Sequence, residues 1–309
     1  LELFAIADLS IDYRKSRKAL SAAKEALGKF QKTGYGRGWP ANCQRLRLGA
    51  LDLMEQSAQA QSLGQDIMEE YRREGDLKAA ADVQAGVMMS LYHECRFSAA
   101  ISEGEELKEF AQGVEDPHWE GNAIIWLARI NFVYRQLDQG KMLLEEARLL
   151  AQGEKDDIKE WMVLEVETRL LHEMRDYDQA FKLLDEQMEL SERTGDRYRQ
   201  GMSLLRRCLI WGQKETPSSS DSKNSMRAAI EAKDIFKELG DKGGEASSWD
   251  KIAQSHIIHL DDKLSDPEEA LVAAETCRKL HQKKGDRERE AKMMLRVMCR
   301  IHTEMGNHV

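Results

Sequence analysis

The residues of this 309-residue chain that could bind a metal ion are concentrated in one short stretch. His256, His259, Asp261 and Asp262 carry imidazole and carboxylate groups, and the two histidines have the i, i+3 spacing that places side chains on one face of a helix. A zinc site needs ligands that converge on one point, and no further histidine lies near in the sequence. We therefore interpret the stretch as the polar end of a helix and expect no metal and no cofactor.

Other arrangements that could support catalysis do not have the spacing that the chemistry needs. The glycine-rich run at 34–38 does not follow a predicted strand and lacks the GxGxxG or GxxxxGK[ST] pattern that cradles phosphates. The paired carboxylates Glu105–Glu106 and Glu145–Glu146 fall on predicted helix surfaces, where a Lys or Arg one turn away can pair with them. No GxSxG motif, HExxH motif or Cys–His pairing is visible. The sequence predicts no catalytic residue, and we expect a protein that is not an enzyme.

The composition of the chain excludes two classes of partner. The formal net charge is −9, which lacks the basic excess that a nucleic-acid-binding face requires. The sequence also lacks an apolar run of about 18 residues, the length that a membrane-spanning helix needs. We therefore expect neither a nucleic-acid partner nor direct membrane insertion.

The cysteines and the chain ends bear on location. The cysteines are odd in number, far apart and without a CxxC pair: Cys43, Cys95, Cys208, Cys277 and Cys299. This pattern indicates free thiols in a reducing compartment, so we expect an intracellular, cytoplasmic protein. Leu1 is not preceded by methionine, and Leu3, Ile6 and Ala7 fit the middle of a helix. The chain therefore reads as a processed product or a fragment, and an organelle remains open as an alternative location.

The sequence repeats at intervals of about 40 residues. Glycines recur 38 to 45 residues apart, and aspartate follows four of them: Gly34, Gly75, Gly113, Gly153, Gly195, Gly240 and Gly285. Glycine ends a helix in the left-handed conformation, and aspartate can cap the next helix. A second kind of turn alternates with the first, at 96–100, 176–180 and 265–270. Since no sustained period-two apolar alternation is present, the pattern predicts pairs of helices without strands.

This pattern resembles the tetratricopeptide repeat (TPR) family, in a long form of about 40 residues with Gly-Asp linkers. The third repeat illustrates the likeness: Val87, Met88 and Leu91 occupy its first helix, and Phe97 and Ala100 follow in the turn. The resemblance covers essentially the whole chain. It implies an all-α fold, a right-handed α-solenoid of about seven and a half helix-turn-helix repeats that form one domain.

The predicted repeats follow from the two kinds of turn. They span approximately 1–33, 39–74, 77–112, 117–152, 156–194, 197–239 and 243–284, and a lone helix follows at 287–305. The sixth repeat contains the segment 214–225, which has no apolar residue and several turn-forming residues. We expect this segment to be a mobile loop between two helices. Its serines could be phosphorylated, and a simple tolerated insertion is the alternative.

The resemblance also implies which residues face inward, because first helices line the concave face of such a solenoid. In the register of the family these positions are Asn42, Arg45, Gly49, Asp52, Asp82, Ala85, Met89, Tyr92, Asn122, Ile125, Arg129, Phe132, Met202, Leu205, Leu209, Gly212, Ser247, Asp250, Gln254 and Ile257. In the fifth repeat either Trp161 and Leu164 or Met162 and Glu165 face inward.

The middle of this face is apolar, which is typical of a surface that binds protein. We predict that a partner binds in the concave groove on Ile125, Arg129, Phe132, Met202, Leu205, Leu209, Asp250 and Gln254, with Arg129 as an anchor for a carboxylate. The alternative is a register one position off, in which the apolar residues pack against neighbouring helices. The predicted function is a scaffold that binds a partner protein segment or stabilises a multi-subunit complex. A ligand- or peptide-responsive regulatory domain of a larger protein is the other candidate.

Overall fold

The computed structural model describes residues 16–33, 38–52, 54, 56–214, 218–257 and 266–284, together with 290, 297 and 298. Within these residues the chain forms thirteen α-helices and no β-strand. The helices are α1 (Ser16–Thr33), α2 (Gly38–Asp52), α3 (Ser57–Glu74), α4 (Leu77–His93), α5 (Phe97–Gly113), α6 (Pro117–Val133), α7 (Leu137–Glu154), α8 (Asp157–Glu173), α9 (Tyr177–Arg193), α10 (Arg197–Gln213), α11 (Ser219–Glu238), α12 (Lys242–Ile257) and α13 (Pro267–Lys284).

The helices occur in pairs that match the predicted repeats in sequence. Helix α1 is the second helix of the first repeat, and the pairs α2–α3 to α12–α13 follow with bounds within a few residues of those predicted. The predicted all-α solenoid of helical repeats is therefore confirmed. The predicted lone helix at 287–305 lies almost entirely outside the described residues.

Contacts divide the chain into two compact units. The N-terminal unit covers Leu1–Val166 and the C-terminal unit covers Glu167–Val309, so the boundary falls within α8. The expectation of one continuous repeat domain stays a prediction.

Each linker between pairs that the structure describes in full contains one residue in the left-handed conformation. Three of the predicted glycines have this conformation, with φ of 74°, 68° and 71° at Gly75, Gly195 and Gly240. Glycine lacks a Cβ atom and adopts positive φ at little cost, which is why it ends these helices.

Two other predicted linker glycines are not the linker residues. Gly113 and Gly153 lie in the last turns of α5 and α7. The left-handed residues are Glu115 and Lys155, with φ of 52° and 56°. Those two predictions are wrong because a polar residue can take the left-handed position when the rest of the turn is well satisfied.

In the five fully described linkers, from α3–α4 to α11–α12, the next residue is aspartate, and its side chain caps the following helix. The carboxylates of these aspartates accept hydrogen bonds from backbone N–H groups in the first turn, at Asp76 to Ala79 (3.2 Å), Asp116 to Trp119 (3.3 Å), Asp156 to Lys159 (3.0 Å), Asp196 to Arg199 (2.9 Å) and Asp241 to Gly244 (3.1 Å). Such caps stabilise a helix by about 0.5–2 kcal/mol each. The caps fix where the first helix of each pair begins, and with it the face that the helix presents.

The segment 214–225 is not a loop throughout, because α11 begins within it. The hydroxyl of Ser218 accepts a hydrogen bond from the backbone N–H of Asp221 at 3.1 Å, and the Asp221 carboxylate accepts one from the Ser218 N–H at 2.9 Å. Ser225 is buried, and its hydroxyl lies 3.2 Å from that of Ser255. The loop was predicted because the segment has no apolar residue to hold a helix in place. A capping box and buried, hydrogen-bonded serines hold the start of α11 instead.

The core of the C-terminal unit is centred on Phe236 of α11, which is fully buried. Its ring lies between two glycines, Gly201 on α10 and Gly244 on α12. A Cβ atom added to either glycine would lie 2.8 Å and 2.3 Å, respectively, from the nearest ring atom. The absence of side chains at these two positions therefore lets α10 and α12 approach the phenyl ring closely.

A buried lysine joins three helices of the N-terminal unit. Lys159, 3% exposed, lies on α8. Its ammonium donates to the carbonyl oxygen of Pro117 at 3.2 Å and lies 2.5 Å from Glu154 and 3.4 Å from Asp156. Because these groups lie at the start of α6, at the end of α7 and in the linker between α7 and α8, the lysine holds the three helices together.

Candidate functional site

The first helices of the N-terminal unit present half-buried side chains at helical spacing. We call the N-terminal face the half-buried residues Asp82, Met89 and Tyr92 on α4, Asn122, Trp126 and Arg129 on α6, and Met162 on α8, together with the buried Glu165 that pairs with Arg129. Tyr92 and Trp126 also pack against the core beneath them. The face is therefore anchored to the fold rather than carried on a loop.

Arg129 is the centre of the N-terminal face. One terminal nitrogen of its guanidinium donates to Glu165 Oε2 at 2.8 Å, and the guanidinium carbon lies 4.7 Å from the centre of the Trp126 ring. Tyr92 meets the same indole edge-on, with ring centres 6.1 Å apart. The pairing and stacking hold the guanidinium in one orientation, with its side chain still partly exposed.

Two predicted site residues on α6 are not on this face. Ile125 is 2% exposed and Phe132 is 7% exposed, so both belong to the core. The Phe132 ring packs on Gly140, where an added Cβ atom would lie 2.4 Å from it. Trp126 and the 43%-exposed Val133 occupy the outward positions instead. At Ile125 and Phe132 the predicted inward-facing positions differ by one residue from the exposed ones, as in the alternative register given above. The pattern was ambiguous because α6 is apolar on nearly every side.

A contact with α6 bears on the two registers left open for α8. Trp161 and Leu164 are buried. Met162 is half-buried, and the Glu165 carboxylate reaches Arg129. Glu165 is as buried as Trp161 (7% and 8% exposed), so it is the contact with Arg129 that joins Glu165, and with it Met162, to the N-terminal face.

Asp82 gives the N-terminal face a titratable group. Burial raises the pKa of the Asp82 carboxyl from 3.8 to about 6, and the positive charges of Arg45 and His118 oppose the shift. The His118 ring lies 3.1 Å from the Asn122 amide nitrogen. One end of the face is therefore polar and sensitive to pH, whereas the other end is aromatic.

The predicted residues of the C-terminal unit form a second surface, the C-terminal face: Met202, Leu205 and Leu209 on α10, and Asp250, Lys251 and Gln254 on α12. All six are half-buried, and the sequence prediction named five of them. Met202 and Leu205 also pack against the core. Their exposed portions form an apolar strip along α10.

The polar half of the C-terminal face is internally hydrogen-bonded. The Gln254 amide donates to Asp250 Oδ2 at 2.8 Å, and the Lys251 ammonium donates to Gln254 Oε1 at 3.2 Å. Lys251 Nζ also lies 3.5 Å from Asp250 Oδ2. These contacts orient the three side chains beside the apolar strip.

A crevice of about 20 Å³ separates the two halves of this face. Its floor contains buried Cys208, whose sulfur lies 3.1 Å from the Ser225 hydroxyl, and Ser255. Burial raises the pKa of the Cys208 thiol, so the group stays protonated at neutral pH. The arrangement is suited to polar packing beneath the face and not to nucleophilic attack.

The sequence also raised a metal site and a membrane span. In the described part of the chain no group of three or more His, Cys, Asp and Glu side chains is arranged to hold a metal ion. Of the four candidate ligands, His256 lies on α12, and His259, Asp261 and Asp262 lie outside the described residues. No helix among those described is both long and apolar enough to cross a membrane.

Comparisons with known proteins establish the fold. No protein-family model and no curated protein matches the chain in sequence. The crystal structure of the apo form of RapI is similar to it, with a TM-score of 0.56 and 14% identity over 94% of this chain and 79% of RapI. A second similar structure is PH0952 from Pyrococcus horikoshii, a signal transduction ATPase with numerous domains that has a tetratricopeptide repeat sensor. Its TM-score is 0.58 at 15% identity, and the match covers 96% of this chain and 44% of PH0952.

At these identities the similarity bears on architecture alone. The chain has the fold of a TPR-like helical-repeat solenoid. It spans less than half the length of PH0952.

Proposed function

We propose that this chain is a non-enzymatic interaction domain that binds a segment of a partner protein on the N-terminal face, and that the C-terminal face is a separate binding surface of the same kind. The observation that carries the proposal is the arrangement of Tyr92, Trp126 and Arg129 on the N-terminal face. Tryptophan, tyrosine and arginine are the residues most enriched at the energetic centres of protein interfaces. Here all three are half-buried, Trp126 contacts both Tyr92 and Arg129, and the two aromatic side chains pack against the core.

The chemistry of the face defines the segment that fits it. Arginine has five N–H donors, and the contact with Glu165 uses one terminal nitrogen of Arg129. The side chain of Arg129 is 25% exposed, so a carbonyl or carboxylate of the partner can accept a hydrogen bond from a terminal N–H group that this contact leaves unused. The ring faces of Trp126 and Tyr92 suit an apolar or aromatic side chain beside that acceptor. The proposed ligand is therefore an acidic segment with an adjacent apolar anchor.

The C-terminal face supports the same kind of binding with different chemistry. Met202, Leu205 and Leu209 offer a flexible apolar strip, and Asp250 and Gln254 offer acceptors and donors beside it. Methionine and leucine adapt to several partner side chains, whereas the hydrogen-bonded polar row fixes orientation. Leu205→Asp should weaken binding there and leave the helical circular dichroism unchanged, because Leu205 is half-exposed.

Selection from a displayed random-peptide library tests the proposal. The native chain should enrich peptides with an acidic residue next to an apolar one, and Trp126→Ala and Arg129→Glu should each lose that enrichment. Met142→Ser is the matched control, because Met142 is an exposed apolar residue of the same unit outside the face. Circular dichroism must show equal helix content in every variant. Enrichment of the same peptides by Trp126→Ala and the native chain would refute the proposed site.

The second candidate function is a sensor domain of a longer protein. The similarity to PH0952 favours this function, because PH0952 has a tetratricopeptide repeat sensor and the match covers 44% of its length. A selected peptide should then change the radius of gyration of the chain in small-angle X-ray scattering. An unchanged radius at saturating peptide would leave the scaffold as the better description.

A further inference from the structure

A concave surface also lies on α11 of the C-terminal unit. We call it the α11 groove; it has a volume of about 480 Å³ and is lined by Arg197, Lys223, Met226, Arg227, Ile230, Glu231, Asp234 and Ile235. None of these residues belongs to the N-terminal or C-terminal face. Most of them recur at three- or four-residue spacing along α11, so they form one continuous stripe of the helix.

The floor of the α11 groove is apolar and belongs to the core. Ile235 is buried, and Met226 is half-buried against the core cluster of the C-terminal unit. Ile230 lies between them in sequence and is 41% exposed. An exposed isoleucine at the centre of an apolar depression favours a partner that supplies apolar side chains at the same spacing.

The rim of the groove is charged with opposite signs at its two ends. Lys223 and Arg227 lie toward the start of α11, and Glu231 and Asp234 lie toward its end. Asp234 also lies 3.0 Å from the ammonium of Lys233, but its side chain is more than half exposed and remains accessible.

Arg197 does not reverse this polarity. Its guanidinium donates to the carboxylate of Glu238 at 3.2 Å, so the two charges offset each other at the acidic end.

We propose that the α11 groove binds an amphipathic helix of a partner protein whose charged residues are segregated, acidic in one half and basic in the other. The helix places apolar residues at i, i+3 or i+4 spacing over Ile230. Its acidic half lies over Lys223 and Arg227, and its basic half lies over Glu231 and Asp234. Helix-in-groove binding of this kind combines apolar anchors for affinity with rim charges for register.

Three designed peptides test the proposal. Each is a helix-forming sequence of about 18 residues, long enough to form a helix in water, with the same leucines on one face. The segregated peptide has glutamates in one half and lysines in the other, and the two controls have only glutamates or only lysines. Binding is measured by fluorescence anisotropy on the whole chain. The segregated peptide should bind about tenfold or more tightly than either control, a difference of about 1.4 kcal/mol.

Charge replacement on the protein provides the second arm. Lys223 and Arg227 are exposed, so Lys223→Glu/Arg227→Glu should fold normally. The rim then becomes uniformly acidic, and the preference should move from the segregated peptide to the lysine peptide. Ile230→Asp should weaken all three peptides about tenfold or more, because the central anchor is lost. Val272→Asp, at an exposed position of α13 outside the groove, is the matched control and should change nothing.

Three outcomes would overturn the proposal. Equal binding of the three peptides would show that the rim charges do not select the partner. No binding at a peptide concentration of about 1 mM would show that the groove does not bind helices. Self-association that Ile230→Asp abolishes would show that a second copy of this chain covers the groove. None of these results affects the peptide selection on the N-terminal face, so the two proposals fail independently.

Discussion

A methyl group added at Gly244 should destabilise the C-terminal unit. An ideal Cβ atom at this position lies 2.3 Å from both Cγ and Cδ1 of Phe236, whereas carbon atoms in contact are about 3.5–4.0 Å apart. The phenyl ring cannot move into solvent, because it is fully buried and also packs against Gly201. Gly244→Ala therefore forces a shift of α12 or of the ring.

The expected magnitude follows from two opposing effects. Overpacking a well-packed core costs about 1–3 kcal/mol. Replacing a helical glycine by alanine stabilises a helix by about 0.5–1 kcal/mol, and Gly244 lies in the first turn, where this gain is smallest. The difference is a decrease in the free energy of unfolding of about 0.5–2.5 kcal/mol for Gly244→Ala. Gly201→Ala should lower it less, because its Cβ atom lies 2.8 Å from the ring.

Urea unfolding followed by circular dichroism measures the effect. Gly153→Ala is the matched control, since nothing lies within 4 Å of its added Cβ atom, and its unfolding midpoint should stay equal or rise. Phe236→Leu makes room at the contact, so Gly244→Ala should cost less in that background than in the native chain. A native-like midpoint for Gly244→Ala, or an equal cost in both backgrounds, would refute the packing argument.

Three further substitutions test the other features on which the site depends. Asp82→Asn should raise the free energy of unfolding by about 1–2 kcal/mol at pH 8 and by little at pH 4. The pKa of the Asp82 carboxyl is raised to about 6 in the folded state, so its ionised form destabilises the fold above that pH. The destabilisation disappears as the pH falls toward 4 and the carboxyl becomes protonated. Urea midpoints of both chains across this range check the sign, and a benefit larger at pH 4 contradicts it. Lys159→Met should lower the free energy of unfolding by about 1–3 kcal/mol in the same assay, because Glu154 and Asp156 lose their buried partner. An unchanged midpoint would show that these two ion pairs do not contribute to stability. Phe132→Ala should lower the free energy of unfolding by about 3–5 kcal/mol, because the ring is buried in the core. A change near zero would show that the ring is exposed.

The positions of the helices could be predicted because their signals are local. Asp116 and Pro117 were recognisable as the start of a helix, and the structure places them at the N-cap and first position of α6. One signal was overlooked: the capping aspartates at 76, 116, 156 and 196 are each 40 residues apart. That spacing is more regular than the spacing of the glycines, because the carboxylate forms the hydrogen bond whichever residue precedes it.

The faces of the helices could be predicted only in part. Leu205 and Leu209, which the repeat pattern assigned to the groove, are half-buried on a helix with clear polar and apolar sides, and their role in binding stays a prediction. In α6 the pattern was ambiguous, because Ile124, Ile125 and Trp126 are consecutive apolar residues and any of them could face outward. The neighbours decide which residue is buried, and Gly140 makes room for Phe132.

The order, lengths and caps of the helices were thus determined by the sequence itself, since each depends on residues within a few positions of one another. The contact of Arg129 with Trp126 and Glu165, the burial of Ile125 and the α11 groove were decided by tertiary structure. They join residues on different helices or depend on how closely two helices pack. Helix-to-helix distance depends on side-chain volumes far apart in the chain, and no local pattern records it.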